Sequence, residues 1–507
     1  MYWNFSEIAE IFSQKKESGL LLYARWGLEK ESLRVTRTGD LALTPHPPVF
    51  GDKIENPYIQ TDFSESQLEL ITPPCNTIEQ TYDFLYNLHV QVERAIGDEL
   101  MWPLSMPGQL PEDDRIPTAT YNASLRGEIK EIYRSGLSLR YGKKMQMISG
   151  IHFNFSLRPE LWSFLYDTFS SAPGKDSFIN EMYIALVRNY LRYQWLLLYL
   201  FGASPVADES YWGDSGNRTG IVDVNPAEMT DRAKEITSLR MSRFGYRSPL
   251  QKKISVSYNS LEEYIRDLRT AVSTTSPIYK RIGTYKGGRR IQLNDHLLQS
   301  DNEYYAPARL KQIVSDGESQ LDALEKKGIH HVELRIFDLN PFEKTGISLE
   351  QMRFIQVFIL FCLFEKSDPI FLPEADIIEY NAEMTALAGK RDGLLLMYPA
   401  GGLVPLRVKG EAIIQKLRII AELLDMNSGD GRYARTVEAY RRQLHDATAL
   451  PSTRILKEMR DNNERYREFG LRKAKEHLEQ AGPGGGPSIT SSADCCGDMT
   501  FSGEENV

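Results

Sequence analysis

The chain has 507 residues, of which 41% are hydrophobic and 25% are charged, and its formal net charge is −9. This composition is typical of a soluble globular protein and excludes a disordered or fibrous chain. The negative balance argues against a nucleic-acid partner, because phosphate backbones are held by basic surfaces. The longest apolar runs, 195–201 and 354–364, are shorter than the roughly 18 residues of a membrane-spanning helix, so we expect no membrane partner.

The first predicted strand carries alternating acids. In Gly27-Leu28-Glu29-Lys30-Glu31 the two glutamates are two residues apart, so Glu29 and Glu31 project from the same face of the strand. Carboxylates that close repel each other, and a cation between them relieves the repulsion. Hard divalent ions such as Mg²⁺ take carboxylate oxygens as ligands. The alternative is a solvated strand in which charges alternate by chance.

Further segments repeat this pattern of functional side chains on one strand face. The segment 61–69 contains the acids Asp62 and Glu69, and the segment 331–335 places Glu333 and Arg335 on one face, opposite an apolar row. Between them, residues 148–157 alternate in the same way, with His152, Asn154 and Ser156 on one face and with Ile151, Phe153, Phe155 and Leu157 on the other.

Several such strands would build a sheet with a polar cleft on one side and helices covering the other. This cleft is the candidate site. The net negative charge means that an anionic ligand must be met by local cations, and the candidates are Arg134, Arg240 and Arg335.

The chain is predicted to form one catalytic domain over residues 1–480, with a helical C-terminal part from about residue 410. Residues 481–507 are rich in Gly, Ser, Asp and Glu and are predicted to be a disordered tail. The four cysteines, Cys75, Cys362, Cys495 and Cys496, lack the spacing of a disulfide framework, which favours a reducing, cytoplasmic location. An incidental tail pair is favoured over a metal or redox role for Cys495 and Cys496.

No phosphate-binding P-loop, dinucleotide GxGxxG, nucleophile elbow or HExxH motif occurs in the sequence. Eight runs instead stand out in chain order: Arg25-Trp26-Gly27-Leu28-Glu29-Lys30-Glu31, Thr61-Asp62-Phe63, Leu68-Glu69-Leu70-Ile71-Thr72-Pro73, Met101-Trp102-Pro103-Leu104-Ser105-Met106-Pro107, Ile148-Ser149-Gly150-Ile151-His152-Phe153-Asn154-Phe155-Ser156, Phe201-Gly202-Ala203-Ser204-Pro205, Thr237-Ser238-Leu239-Arg240 and Asn302-Glu303-Tyr304-Tyr305-Ala306-Pro307. In order and spacing, from about residue 20 to 430, they resemble the bacterial glutamate-cysteine ligase family of the proteobacterial type.

The resemblance implies an α+β, glutamine-synthetase-like fold, in which a curved, mainly antiparallel sheet forms a funnel-shaped site with helices on the outside. It also implies a reaction in which ATP, L-glutamate and L-cysteine give γ-glutamylcysteine, ADP and phosphate through a γ-glutamyl phosphate. This is the first step of glutathione biosynthesis. Mg²⁺ would be the cofactor, with Mn²⁺ as an alternative, and ATP the co-substrate.

The family's functional residues map onto matching positions of this sequence. By resemblance the metal ligands are Glu29, Glu31, Asp62, Glu69, His152 and Glu333. Arg240 and Arg335 would neutralise the transferring phosphoryl group, and Arg134 and Asn154 would hold the glutamate substrate. The cysteine pocket would be formed by Phe63, Tyr133, Leu137, Gln146, Tyr246 and Tyr305.

Three other functions stay open. A ligase of the same fold could join glutamate to a different amine, and an inactive relative could serve as a binding or scaffold protein. A zinc hydrolase that uses His152 is disfavoured, since the sequence offers too few His and Cys ligands. The expected partners are small-molecule substrates; the oligomeric state is left open, and a monomer is compatible with the sequence.

Overall fold

The computed structural model describes residues 5–170, 174–212, 231–246, 250–315, 317–399 and 401–480. Its strands are β1 (Ala24–Val35), β2 (Ile59–Thr61), β3 (Gln67–Ile71), β4 (Leu100–Met101), β5 (Ile151–Leu157), β6 (Tyr285–Lys286), β7 (Arg289–Arg290), β8 (Ala308–Lys311), β9 (His331–Phe337), β10 (Leu395–Met397) and β11 (Leu403–Pro405).

The helices precede, separate and follow these strands. They are α1 (Phe5–Ile11), α2 (Lys15–Leu22), α3 (Ile78–Ala95), α4 (Leu125–Tyr141), α5 (Lys143–Gln146), α6 (Pro159–Phe169), α7 (Lys175–Phe201), α8 (Glu209–Trp212), α9 (Asp231–Glu235), α10 (Leu261–Ser273), α11 (Pro277–Ile282), α12 (Gln320–Lys327), α13 (Leu349–Phe364), α14 (Leu372–Ala388), α15 (Leu406–Ser428), α16 (Arg432–His445), α17 (Pro451–Asp461) and α18 (Tyr466–Gln480).

A seven-stranded sheet lies at the centre of the described fold. Six strands follow the order β2-β3-β1-β5-β9-β8, β4 pairs with one end of β1, and every neighbouring pair is antiparallel. The long strand β1 lies between β3 and β5, so the acidic strand predicted from the sequence runs through the middle of the sheet. The two hairpins β6-β7 and β10-β11 lie outside this sheet.

One face of the sheet is apolar because the strands alternate as predicted. Leu28, Phe153, Val332 and Leu334 are fully buried and belong to one hydrophobic cluster. Helix α3 contacts β1 and β3, helix α7 contacts β9, and α13 packs against α7. Since α7 and α13 are apolar around most of their circumference, they form a buried helical layer behind the sheet.

The C-terminal part is helical, as expected from about residue 410. The structure divides the charged stretch 453–480 between two helices, α17 and α18. The break lies at Asn463, whose φ of +53° is left-handed, a conformation that asparagine tolerates and that ends a helix. The predicted tail with Cys495 and Cys496 lies outside the described residues, and the division into one domain and a tail stays a prediction.

The predicted α+β class is confirmed: an antiparallel sheet with helices packed outside it. Among the described helices, none combines the length and apolar character needed to cross a bilayer.

Candidate active site

Strand register brings the acidic residues together on the polar face of the sheet. Glu29 pairs across β1 and β5 with His152, and Glu31 pairs across β1 and β3 with Glu69. On the next strand, Asn154 pairs with Glu333. Because residues directly opposite each other in a sheet share a face, these side chains project into the same space.

That space is a cavity of about 80 Å³ lined mainly by polar groups. Of the sixteen site residues taken from the sequence, fifteen line it: Glu29, Glu31, Asp62, Phe63, Glu69, Tyr133, Arg134, Leu137, Gln146, His152, Asn154, Tyr246, Tyr305, Glu333 and Arg335. The sixteenth, Arg240, lines an adjoining cavity. We call the first space the acid cavity. The acidic residues proposed as metal ligands therefore lie together in one cavity.

His152 lies among three carboxylates. Its Nδ1 is 3.1 Å from Glu29 Oε2 and 3.4 Å from Glu333 Oε1, and its Nε2 is 3.4 Å from Glu31 Oε1. Glu29, His152 and Glu333 each offer one ligand atom, and these atoms lie within 4.8 Å of one another. This is the spacing of groups that could share one metal ion.

Burial makes the electrostatics of these groups unusual. Loss of water, followed by repulsion from Asp62, raises the pKa of Glu31 to about 8. Burial would also raise the pKa of Glu333, but Arg335, Lys311 and other nearby cations hold it well below its usual value. Burial and the neighbouring Arg335 lower the pKa of His152, so its imidazole is neutral at neutral pH.

Two arginines stand beside the acids. Arg335 forms an ion pair with Glu333 across one strand face, and its Nη1 is 3.4 Å from His152 Nδ1. Arg240 donates from Nη2 to the Arg335 carbonyl at 2.9 Å and lies 3.8 Å from an oxygen of Asp338. Both guanidinium groups are thus fixed at the edge of the acid cavity.

Two of the family-like sequence runs, 201–205 and 237–240, hold Arg240 in position. Asp338 accepts hydrogen bonds from the Ala203 amide and the Ser204 hydroxyl, and the Leu239 amide donates to the Ser204 carbonyl. The runs 201–205 and 237–240 are therefore bound to each other directly beside the sheet.

Arg134 and Asn154 make protein contacts inside the cavity. Arg134 is buried; its Nε donates to the Asp62 carbonyl at 2.5 Å, and its guanidinium lies 5.0 Å from the centre of the Tyr121 ring. Asn154 donates from Nδ2 to Glu29 Oε1 at 2.9 Å. In this structure both residues orient acids or the backbone that carries them.

An aromatic corner closes the cavity on the side of α4. Tyr246 donates to Gln146 Oε1 and Gln146 Nε2 donates to Tyr305, both at 3.2 Å. The rings of Tyr246 and Tyr305 meet edge to face with centroids 4.4 Å apart. Phe63, Tyr133 and Leu137 are buried and complete the walls. We call these six residues the acceptor pocket.

A second cavity of about 650 Å³ adjoins the acid cavity. The two share Glu31, His152, Tyr246, Tyr305 and Arg335 as wall residues. Much of the remaining lining of the larger cavity is apolar, including Ile254, Val256, Ile370 and Ile378. It is large enough for a nucleoside.

Several polar residues of the acid cavity were not predicted from the sequence: Gln60, Asn302, Arg309, Lys311 and His331. Lys311 Nζ and Arg309 Nη1 lie 3.7 and 4.0 Å from Glu333 Oε2. The sequence signal for Arg309 and Lys311 was the alternation of apolar and basic residues in 308–311. The segment is short, but this alternation matches a half-buried strand.

The fold and the site define an α+β enzyme class with a carboxylate-rich active site that is suited to a divalent cation and opens to a second ligand cavity. The profile of the family described as glutamate-cysteine ligase matches residues 9–385. The glutamate–cysteine ligase of Clostridium acetobutylicum is 45% identical over 480 residues, which cover 94% of this chain and all of that protein. The chain belongs to the glutamate-cysteine ligase family.

Solved structures agree with this assignment. The glutamate–cysteine ligase of Francisella tularensis in complex with AMP superposes with a TM-score of 0.83 at 33% identity, covering 94% of this chain and 92% of that one. A bifunctional glutathione synthetase from Pasteurella multocida gives a TM-score of 0.74 at 31% identity, covering 93% of this chain and 55% of that one. The family resemblance of the sequence motifs is thereby confirmed.

Proposed function

We propose that this protein joins the side-chain carboxylate of L-glutamate to the amino group of L-cysteine, with conversion of ATP to ADP and phosphate. The product is γ-glutamylcysteine, and the reaction is the first step of glutathione biosynthesis. The observation that carries the proposal is the acid cavity itself, which six metal-ligand candidates and Arg335 line together in a chain of this family.

The donor set of the cavity fits Mg²⁺. Glu333 Oε2 is buried and accepts no hydrogen bond within the described residues, and its nearest cations, Lys311 Nζ and Arg309 Nη1, stay 3.7 and 4.0 Å away, so a metal ion could still take one of its lone pairs. Five of the six proposed ligands, Glu29, Glu31, Asp62, Glu69 and Glu333, offer the carboxylate oxygens that hard ions prefer, and His152 adds a nitrogen. Mn²⁺ accepts the same oxygen and nitrogen donors. When bound, the ions would draw negative charge from phosphate oxygens and orient the acceptor carboxylate.

The arginines and Asn154 would neutralise the charge of the substrates and align them. Glutamate must attack the γ-phosphoryl group of ATP, and both are anions, so neutralisation and alignment carry most of the catalysis. Arg335 and Arg240 would direct their guanidinium groups at the reacting phosphoryl group. A guanidinium can donate two parallel hydrogen bonds to two oxygens of a phosphoryl or acyl-phosphate group. Arg134 and Asn154 are the proposed contacts to the glutamate substrate.

The larger cavity is the proposed site of adenosine. Its apolar walls suit a purine ring, and its shared wall with the acid cavity would direct the phosphates toward Arg335 and the carboxylates. The acceptor pocket would take cysteine, because an aromatic enclosure suits a short thiol side chain. Attack of the cysteine amine on γ-glutamyl phosphate then forms the amide bond and releases phosphate.

A product assay tests the proposal directly. The purified chain is incubated with ATP, Mg²⁺, L-glutamate and a panel of amines, and products are identified by mass. We expect γ-glutamylcysteine as the preferred product, with one ADP released for each amide formed, and loss of activity on chelation that Mg²⁺ or Mn²⁺ restores. A strong preference for another amine would favour the related-ligase function, and no ADP-forming activity would favour the scaffold.

A reducing compartment also fits the proposed substrate, because L-cysteine stays there as the free thiol rather than as a disulfide. We therefore propose action in the cytoplasm, on small molecules alone.

A further inference from the structure

Behind the acceptor pocket lies a buried polar cluster of five residues, which we call the wall network: Arg140, Tyr141, Gln251, Gln299 and Glu303. The side chains of Arg140 and Glu303 are fully buried. Gln251 lines the larger cavity, whereas the other four are absent from the linings of both cavities. They therefore have no direct access to substrates bound in either space.

Glu303 is the centre of the network. Its Oε1 accepts hydrogen bonds from Arg140 Nη1 at 3.0 Å and from the Tyr141 hydroxyl. Its Oε2 accepts a hydrogen bond from the backbone N–H of Gln299 at 2.7 Å. Arg140 also donates from Nε to Gln292 Oε1 and from Nη2 to the Asn294 carbonyl, each at 2.8 Å. Helix α4 is thus tied to the segment 292–303.

The network reaches the pocket through Gln251. Its Nε2 donates to the Tyr141 hydroxyl at 3.1 Å and to the Glu303 carbonyl at 2.7 Å, and its Oε1 accepts from the Tyr305 amide at 2.9 Å. The rings of Tyr141 and Tyr305 also touch, with centroids 5.6 Å apart. Tyr305, the pocket residue that contacts Gln146 and Tyr246, is therefore held from behind.

A second link reaches the opposite wall. Gln299 Nε2 donates to the Tyr133 carbonyl at 3.1 Å, and its side chain lies so close to α4 that a Cβ on Gly136 would be 2.0 Å from its Oε1. Tyr133, Leu137 and Tyr141 are spaced four residues apart and share one face of α4. The same helix face carries two pocket walls and the network.

The energetics favour a geometric role over a stabilising one. Removing a charged pair from water costs about as much as the pair regains, so apolar side chains of similar size would stabilise the core equally well. An ion pair with four further hydrogen bonds does, however, fix direction and distance, which apolar packing does not.

We propose that the wall network sets the width of the acceptor pocket by fixing Tyr305 relative to Tyr133, so that Arg140, Tyr141 and Glu303 are positioning residues for the selection of a short-chain amine. The inference rests on the proposed function, since the pocket is assigned to cysteine there.

Tyr141→Phe tests it with the loss of one hydroxyl group. Without the hydroxyl, Glu303 and Gln251 lose their common partner, and Tyr305 gains freedom. We expect KM for L-cysteine to rise about tenfold, the size of one lost buried hydrogen bond, with a smaller rise in KM for ATP, whose proposed cavity Tyr305 also lines, and an unchanged KM for glutamate. The ratio of kcat/KM for cysteine to that for the longer L-methionine is expected to fall. Tyr199→Phe is the matched control, because Tyr199 on α7 is buried, its hydroxyl donates to the Leu444 carbonyl on α16, and it lines neither cavity.

A second variant keeps the test independent of folding. Arg140→Lys retains the charge beside Glu303 but gives up the contacts to Gln292 and Asn294, so we expect the same rise in KM for cysteine. Thermal unfolding of each variant is measured alongside. A purely structural network would lower Tm and the active fraction but leave all three KM values and the selectivity ratio as in the wild type, which would overturn the inference.

The outcomes separate the two proposals. If the wild-type chain prefers another amine, the assigned substrate is wrong, and the network is judged on the KM for that amine, which Tyr141→Phe must raise. If the wild type makes γ-glutamylcysteine and both variants keep its KM for cysteine, only the network inference fails. A wild type without ligase activity would overturn both.

Discussion

Gly150 lies so close to Arg240 that a Cβ at position 150 would be 2.0 Å from Nη2 of the guanidinium and 2.4 Å from its Cζ. The Gly150 amide also donates to Glu31 Oε2 at 2.8 Å, and its carbonyl accepts from the Glu31 amide. A single glycine thus stands between a proposed metal ligand and a proposed phosphoryl-binding arginine, and its missing side chain provides the room for Arg240.

Replacing Gly150 by alanine is expected to displace the Arg240 guanidinium. Arg240 would lose its hydrogen bond to the Arg335 carbonyl, and we expect kcat to fall by about 100-fold, as when a preorganised donor is removed from an active site. Initial rates of ADP release at saturating substrates measure this. Gly402→Ala is the control, because nothing lies within 4 Å of a Cβ there. Equal rates for the two alanine variants would contradict the assigned role of Arg240.

Glu29→Gln is expected to weaken metal binding more than it affects the fold. The amide keeps the shape of Glu29 but removes the charge from a side chain that is 18% exposed and contacts His152 and Asn154. We expect the Mg²⁺ concentration for half-maximal activity to rise about tenfold or more. Direct titration with Mn²⁺ gives the affinity without relying on turnover. Glu422→Gln removes an exposed carboxylate from α15 and should leave both measurements unchanged.

The polar face of the sheet could be predicted because strand alternation is a local property. Glu29 and Glu31 must share a face whatever the rest of the chain does, and the same holds for Glu333 and Arg335. Which strands become neighbours is decided by packing over long separations. The pairing of Glu31 with Glu69, and of Asn154 with Glu333, was therefore not predicted from the sequence, and the family motifs indicated only that these residues serve one site.

Other parts of the site have no comparable local pattern. Many walls of the larger cavity come from residues 254–258 and 370–382, which carry no recognisable motif for a shared ligand. Arg309 and Lys311 were missed because a four-residue strand offers only two alternations. The break between α17 and α18 depends on one left-handed asparagine, which helical periodicity does not reveal.

Arg335→Lys is expected to keep the charge but lose the planar fork. A lysine ammonium can pair with Glu333, yet it cannot present two parallel N–H groups to a phosphoryl group. We expect kcat to fall on the order of 100-fold to 1000-fold with little change in Tm. Arg418→Lys, at an exposed position of α15, is the comparison. A wild-type kcat in Arg335→Lys would assign Arg335 to the ion pair alone.

The last prediction concerns acid stability and a buried charge cluster on the other side of β1. Lys344 Nζ is 2.6 Å from Glu93 Oε2 on α3 and donates to the His477 carbonyl on α18, and Lys30 donates to the Lys344 carbonyl at 3.3 Å. His89 Nδ1 is 3.4 Å from Glu93 Oε1. The helix α18 is thus fixed beneath the strand that carries Glu29 and Glu31.

Burial lowers the pKa of His89 to about 4 and that of His477 to about 3, from an ordinary value of 6.5. Burial would raise the pKa of Glu93, but hydrogen bonds from His89 and Lys344 lower it to about 2. All three folded-state values lie below the unfolded ones, so the unfolded chain takes up protons first and stability is lost as the pH falls. The stability is lost between pH 6.5 and about 4 for His89, between pH 6.5 and about 3 for His477, and between pH 4.5 and about 2 for Glu93.

Between about pH 7 and pH 5 each histidine should cost on the order of 2 kcal/mol of folding free energy. His477→Gln removes one titration, so its Tm should fall less than that of the wild type between about pH 8 and pH 5, whatever its Tm at pH 8. Glu479→Gln, an exposed substitution on the same helix, should follow the wild-type slope. Parallel slopes for all three proteins would show that His477 is protonated equally in the folded and unfolded chains.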